Sequence, residues 1–371
     1  MRAVSVLKIP ATQIPKLRRR LLAWFALRKR DLPWRRSRDP YRIWISEIML
    51  QQTRVTAVIP YFEKFLAKFP TLQSLARART ETVLGHWAGL GYYSRARNLH
   101  RAAKEIAARH GGHFPQEYEA TLSLPGIGRY TAAAVLSIAY ERPLGVLDGN
   151  VARVLARLGA VHGDLRAPAL WRELEVTAQD LLASKAPGDW NQAMMELGAT
   201  VCTPKSPRCG ECPVAPWCVA RKLGIAEQFP APRKKRTTEH VTLAVAVLLD
   251  PQGRTLLVRQ TADDGALFSR MWQFPALEFS AEPASHLGSD LARYLRENFK
   301  IKVNGNMAPL KTARHSVTYR NIRLAPFVIR VARLPRVEGA RTVTLGRFRN
   351  LPISNATRKI VDAALADLAK Q

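Results

Sequence analysis

The chain has 371 residues, with 58 Lys and Arg against 29 Asp and Glu, a formal charge of +29. Its 47% hydrophobic content is too high for a disordered chain, its length favours two domains, and no run of 18 apolar residues reads as a membrane span. Residues 1–225 hold 34 of the basic and 17 of the acidic side chains and residues 226–371 the other 24 and 12, so both halves are basic and nucleic acid is the natural partner. At the N-terminus, Met1 to Pro15 lacks the apolar core of a secretory signal, and an intracellular protein is expected. Residues 16–30 then read as a basic amphipathic helix. A helical pattern runs from Tyr41 to Lys68 with a break at Pro60. Short helices follow at 71–80, 81–90 and 94–110, separated by Gly89, Gly91 and Gly111–Gly112, and two more at 117–122 and 129–140. Val151–Leu158 repeats apolar residues at helical spacing, and 168–201 accommodates two further helices. Residues 226–240, rich in Pro and Lys/Arg, read as a linker. Beyond it, Val241–Leu249, the turn Asp250–Gly253 and Arg254–Arg259 read as strand, turn, strand. Strand-like segments at 322–333 and 341–348 and helical patterns at 286–298 and 355–369 make this second part α+β.

Four places along this order carry chemistry. Glu47 lies in the mostly apolar helical run Trp44–Thr53. It is either a solvent-facing carboxylate beside Ser46 or a carboxyl in an apolar wall, kept protonated as a general acid. Leu124-Pro-Gly-Ile-Gly128 joins two helices. Pro125 ends the first, Gly126 and Gly128 allow unusual φ values and close backbone approach, and the free N–H groups of the next helix suit a phosphate. Asp148, in Val146-Leu-Asp-Gly-Asn150, precedes the helix from Val151 and reads as an N-cap or as a second carboxyl for glycoside chemistry. The only four cysteines, Cys202, Cys209, Cys212 and Cys218, fall within 17 residues. Thiols so clustered read as a metal site, and the spacing leaves zinc and an iron–sulfur cluster both open. The basic residues around them (Lys205, Arg208, Arg221 and Lys222) suit a loop that docks on phosphates.

The hairpin, the aspartate about 20 residues later and the C-x6-C-x2-C-x5-C run, in this order, resemble the endonuclease III superfamily of helix-hairpin-helix DNA glycosylases over about residues 16–220. The resemblance implies a [4Fe–4S] cluster on the four cysteines. It implies a fold with a six-helix barrel at 31–140 beside a cluster domain made of 1–30 and 141–225. Strand-cutting members carry a lysine two residues after the second hairpin glycine. Here that residue is Tyr130, whose phenol cannot form an imine, so base removal without strand cleavage is expected. The run around Glu47, with Gly91-Tyr-Tyr-Ser-Arg95 and Tyr130, is similar to the MutY-type adenine DNA glycosylases. That resemblance implies that Glu47 protonates N7 of an adenine mispaired with 8-oxoguanine or guanine. Asp148 would stabilise the sugar cation, and Tyr130 and Asn150 would position the sugar and Asp148. Gln52 and Tyr92 would fill the duplex vacated by the flipped base. Arg35, Leu50 and Gln192 would line the adenine pocket, and Leu124, Gly126 and Gly128 would meet the DNA backbone. The expected partner is duplex DNA carrying such a mispair, with no membrane contact, met by a monomer in the cytoplasm at the nucleoid.

In the second part, Met271-Trp-Gln-Phe-Pro275 resembles a stretch of the Nudix-like C-terminal domain of these enzymes, here assigned to 241–371. The box of a working Nudix hydrolase is missing, since Glu282, Asp290 and Glu297 do not have its spacing, so a binding module is expected. The family's H-x-F-S/T-H loop reads 8-oxoguanine, and here it is His315-Ser-Val-Thr-Tyr319, which keeps the hydroxyl at Thr318 but replaces the aromatic and the second histidine. Rival readings are a thymine-mismatch or other monofunctional glycosylase of the same superfamily, and a non-enzymatic DNA-binding or redox protein using the cluster alone.

Overall fold

The computed structural model describes residue 7 and residues 9–231, 237–259, 268, 271–280, 286–303, 307–317, 319–348 and 351–370. The chain divides into two compact units, Met1–Arg77 with Arg97–Lys234, and Ala78–Ala96 with Lys235–Gln371. Among the described residues, no helix is long and apolar enough to cross a membrane.

The helices, in chain order, are α1 (Ile14–Arg28), α2 (Pro40–Leu50), α3 (Val55–Lys68), α4 (Leu72–Arg77), α5 (Thr80–Trp87), α6 (Tyr93–Arg109), α7 (Tyr118–Leu122), α8 (Arg129–Tyr140), α9 (Gly149–Gly159), α10 (Pro168–Asp180), α11 (Pro187–Thr200) and α12 (Val219–Lys222). The break expected at Pro60 falls elsewhere. Pro60 lies inside α3, and the helices part at 51–54, where Gln52 takes φ +57°. The local chemistry of the α2 start is explicit: Pro40 presets the first turn and Asp39 accepts from the Tyr41 N–H at 3.0 Å.

The core of the first unit is built on Leu17, Leu21, Trp44, Ile45, Phe62, Phe65 and Trp190, all nearly inaccessible to solvent. Small residues set how closely the site-bearing helices approach. Ala132–Ala134 of α8 are buried, and a Cβ on Gly198 of α11 would sit 2.7 Å from the Asn150 Cβ on α9. The catalytic candidates on α2, α8, α9 and α11 are therefore held by backbones that cannot be pushed apart cheaply.

Among its described residues, the second unit has two sheets. Strands β1 (Glu239–Leu249), β2 (Arg254–Arg259), β3 (Trp272–Gln273), β4 (Ala276–Phe279), β5 (Met307–Pro309), β6 (Ala313–Val317), β7 (Arg320–Arg330) and β8 (Ala340–Thr344) come with α13 (Leu287–Phe299) and α14 (Asn355–Leu368). One sheet runs β4-β1-β7-β5 with β6 also on β7, and the other runs β3-β2-β8. The β1–β7 pair is parallel, with Val241 opposite Ile322 and Leu243 opposite Leu324. Alternation then sends Val241, Leu243, Ile322 and Leu324 into one core with α14, and Ala244, Ala246 and Leu248 into another with α13. The α+β expectation for this part holds.

Residues 78–96 group with the second unit, whereas 31–140 was expected to form one piece. The ties within that unit are the Tyr93 hydroxyl donating to the Ile353 carbonyl (2.9 Å), Asn355 Nδ2 donating to the Gly89 carbonyl (3.3 Å) and Arg259 near Glu81 (4.0 Å). Such long-range polar contacts leave no trace in local periodicity.

Candidate active site

In the first unit, Glu47 faces an open cavity of about 610 Å³. Arg35, Leu50, Gln52, Tyr130, Asp148, Asn150 and Gln192 line it too, so eight of the residues singled out from sequence meet in one place. The solvent-facing alternative for Glu47 fails, because α2 is buried almost all round and Glu47 is 6% exposed.

Burial pushes the Glu47 carboxyl up to about 7, and the Asp148 charge pushes the same way. A hydrogen bond from the Tyr130 hydroxyl to Glu47 Oε2 (2.7 Å) and the charge of Arg35 pull it back. Tyr130 is itself held well above its ordinary value by burial and by the two carboxyls, so it stays a phenol. Its oxygen also lies 3.2 Å from Met195 Sδ.

Asp148 caps α9: Oδ1 accepts from the Val151 N–H at 2.7 Å, and Oδ2 accepts from Asn150 Nδ2 at 2.9 Å. The N-cap reading of Asp148 is therefore met, and the residue also lines the cavity. Burial raises its pKa, and these hydrogen bonds offset part of the rise. The cavity thus holds one carboxyl poised to carry a proton near neutrality and a second in a more polar setting, an arrangement suited to acid-assisted cleavage of a glycosidic bond.

Sequence reasoning missed four residues here: Arg30, Trp34, Met195 and Glu196. Glu196 has its side chain 1% exposed and takes a bidentate pair from Arg30 (2.7 and 2.8 Å) and a further bond from Arg35 (2.8 Å). Burial drives its carboxyl up, but the hydrogen bonds from Arg30 and Arg35 outweigh that and bring it to about 2. A usable signal existed: Met195 and Glu196 lie three and four positions after Gln192, on one helix face.

The hairpin sits between α7 and α8. Gly126 has φ +77°, and a Cβ there would meet the Asn98 Cβ at 2.6 Å. Gly128 departs from expectation. Its φ is −98°, which any residue adopts, and nothing lies within 4 Å of a Cβ placed on it. Its value is open space at the start of α8, where the first backbone bond is Ala132 N–H to the Gly128 carbonyl at 2.9 Å. The first-turn N–H groups of a helix lack intrahelical acceptors, as an anion site requires. Leu124 is 2% exposed and contributes through its carbonyl, which accepts from Ile127 at 3.1 Å.

Tyr92 and Thr318 belong to the second unit. Tyr92, in the 78–96 segment, is 41% exposed with φ +49°, so it does not pack in a core. Thr318 lies outside the described residues. Its neighbours His315–Val317 form the end of β6 with alternating exposure.

Cys202, Cys209, Cys212 and Cys218 surround one hollow with Arg157 and Arg208. No three His, Cys, Asp or Glu side chains among the described residues converge closely enough for a single metal ion. Arg157 is 1% exposed. Its guanidinium lies 3.3 Å from Cys202 Sγ and donates to the carbonyls of Thr203, Pro204 and Phe229 at 2.7–3.0 Å. A buried cation among thiols fits a thiolate cluster that carries negative charge. With four protein ligands the group leaves no open position and supplies structure to the loop.

Comparison with known proteins agrees with this arrangement. Residues 45–179 match the HhH-GPD superfamily of base excision DNA repair proteins, and residues 202–218 match the iron–sulfur binding domain of endonuclease III. These cysteines therefore hold the [4Fe–4S] cluster. The chain is 48% identical over 228 residues to the human adenine DNA glycosylase, covering 59% of this chain and 42% of that protein. It is 34% identical over 404 residues to the rat adenine DNA glycosylase, covering 94% of this chain and 77% of that one. The structure of a thermostable thymine-DNA glycosylase superposes with a TM-score of 0.51 at 28% identity, over 57% of this chain and 98% of that one. Likeness through both units to proteins of one activity, together with the two carboxyls and four cysteines in place, shows that the chain belongs to the adenine DNA glycosylase family of base excision repair.

Proposed function

We propose that the protein removes adenine mispaired with 8-oxoguanine or guanine in duplex DNA and leaves an abasic site without cutting the strand. The observation that carries this reading is the Glu47 carboxyl, pushed up to about 7 in the cavity that also holds Asp148. Adenine leaves poorly as an anion and well once protonated. Glu47 gives its proton to N7, the glycosidic bonding pair goes with the base, and positive charge develops on the sugar. Asp148, fixed by Val151 and Asn150, faces that charge, and water completes the sugar. Tyr130 holds Glu47 at 2.7 Å and offers no amine for a Schiff base, so the backbone stays intact. Arg35, Leu50 and Gln192 shape the pocket for the flipped base, Gln52 and Tyr92 occupy the gap it leaves, and Thr318 contributes to reading the opposite purine.

A single-turnover assay tests this with the adenine strand labelled and duplexes carrying A:8-oxoguanine, A:G, A:T and T:G. Cleavage at adenine only after hot alkali, with A:T untouched, is expected. Cleavage at T:G would favour the thymine-mismatch alternative, to which the superposed thymine-DNA glycosylase lends its likeness, and cleavage without alkali would refute the role given to Tyr130.

A further inference from the structure

The second unit carries a basic hollow that the chemistry above does not use. Arg314 on β6 and Arg323 on β7 stand directly opposite in the antiparallel register, and both are exposed. The next outward pair is Ser316 and Asn321, joined by a 2.9 Å hydrogen bond from Ser316 Oγ. His240 of β1 lies opposite Asn321 in the parallel register. With Thr312 these residues rim an open hollow of about 620 Å³ that, among the described residues, no carboxylate lines. The nearest acid in the register, Glu239, is taken by Arg320 at 3.0 Å.

Neither Arg314 nor Arg323 makes a side-chain hydrogen bond or ion pair with another described residue. Like charges directly opposite on neighbouring strands repel. The register leaves them no other face, because the alternate residues Ile322 and Leu324 are core. Folding alone gains nothing from this pair, whereas an anion between the two would be held by two planar, permanently charged forks.

We infer that Arg314 and Arg323, with His240 and Ser316 beside them, clamp one phosphodiester of the DNA duplex. Arg314 lies four residues before Thr318 in the chain, so the clamp holds the backbone close to the residue assigned to the unexcised purine. A phosphate contact positions without reading sequence. The inference rests on the reading above only in taking duplex DNA as the ligand.

The test uses the full-length, cluster-loaded protein carrying Glu47→Gln, so that substrate is not consumed. Affinity for A:8-oxoguanine and A:G duplexes is measured against salt concentration with and without R314Q/R323Q. Losing one phosphate contact flattens the log–log salt slope by about 0.9 and weakens both duplexes alike. A scan with single methylphosphonates should find one position where the parent loses affinity and the double variant is indifferent. R314K/R323K should keep the slope, and R314Q/R323Q should melt at or above the parent, since a repulsion is removed. An unchanged slope, a loss confined to A:8-oxoguanine, or a deoxynucleoside triphosphate that binds the hollow while the DNA slope stays put would each overturn the inference. Adenine excision by the wild-type protein in the same preparation checks the glycosylase reading separately.

Discussion

Glu47 works as an acid only because it is buried, and pH exposes what burial costs. Its carboxyl is raised from 4.5 to about 7, so the folded chain binds this proton more tightly than the unfolded chain does. The stabilisation is complete below pH 4.5 and is lost as pH rises through 7, and the shift corresponds to about 3 kcal/mol. Glu47→Gln should therefore melt above the parent at pH 8 and level with it near pH 4.5, while single-turnover excision falls by about 10²–10⁴-fold. A variant that melts at or below the parent at both values would mean that no charge is buried there. Glu196 acts on the same proton from a distance. It neutralises Arg30 and Arg35, and Arg35 already pulls Glu47 down. With Glu196→Gln the two guanidiniums lose their counter-charge, and the alkaline limb of excision should move to lower pH. Rates measured across pH decide this, because a lower amplitude with an unmoved limb would leave Glu196 a scaffold only. Stability should also fall, by less than the roughly 3–5 kcal/mol of a fully buried pair, since the Arg30 side chain is 38% exposed.

The hairpin between α7 and α8 separates backbone geometry from ligand space. Gly126→Ala must place a Cβ at positive φ and 2.6 Å from the Asn98 Cβ. It should cost about 1–3 kcal/mol and lower the melting temperature along with DNA affinity. Gly128→Ala meets neither obstacle. It should leave melting unchanged and still weaken DNA binding, because the new methyl group enters the open space at the start of α8. Equal melting losses in the two would refute the distinction. Elements of this kind were legible in the sequence where local pattern decides them. The α8 helix, both helices of the second unit and the first two strands follow from apolar spacing and turn residues. The α2–α3 break was not, because Pro60 fits within α3 while the bend rests on Gln52 at φ +57°, a conformation nothing in its residue type announces. The site was legible through motif residues, whereas Glu196 and Met195 belong to no motif and were reachable only through their helical spacing from Gln192. The grouping of 78–96 rests on contacts more than 170 residues away in sequence.

At the scale of the molecule, the cluster loop and the site share one helix. Asp148 caps the start of α9, and two turns later Arg157 anchors the loop that bears Cys202. Without iron, burial and the other three cysteines push the Cys212 thiol up to about 12, and burial raises the Cys218 thiol, so the negative charge of a thiolate cluster is no longer gathered near the buried Arg157. Loss of the cluster therefore removes both the cross-link of the loop and the counter-charge of a buried cation. Cys209→Ser should lose the visible iron–sulfur absorbance and melt well below the parent. It should also bind duplex DNA more weakly, since the basic side chains around the loop, Lys205 and Arg221 among them, lose their fixed placement. The control is Lys205→Gln with the cluster intact, which should weaken binding modestly and flatten its salt dependence without moving the melting temperature. Retained absorbance in Cys209→Ser would remove Cys209 from the ligand set, and unchanged melting with absorbance lost would show that α9 stands without the cluster.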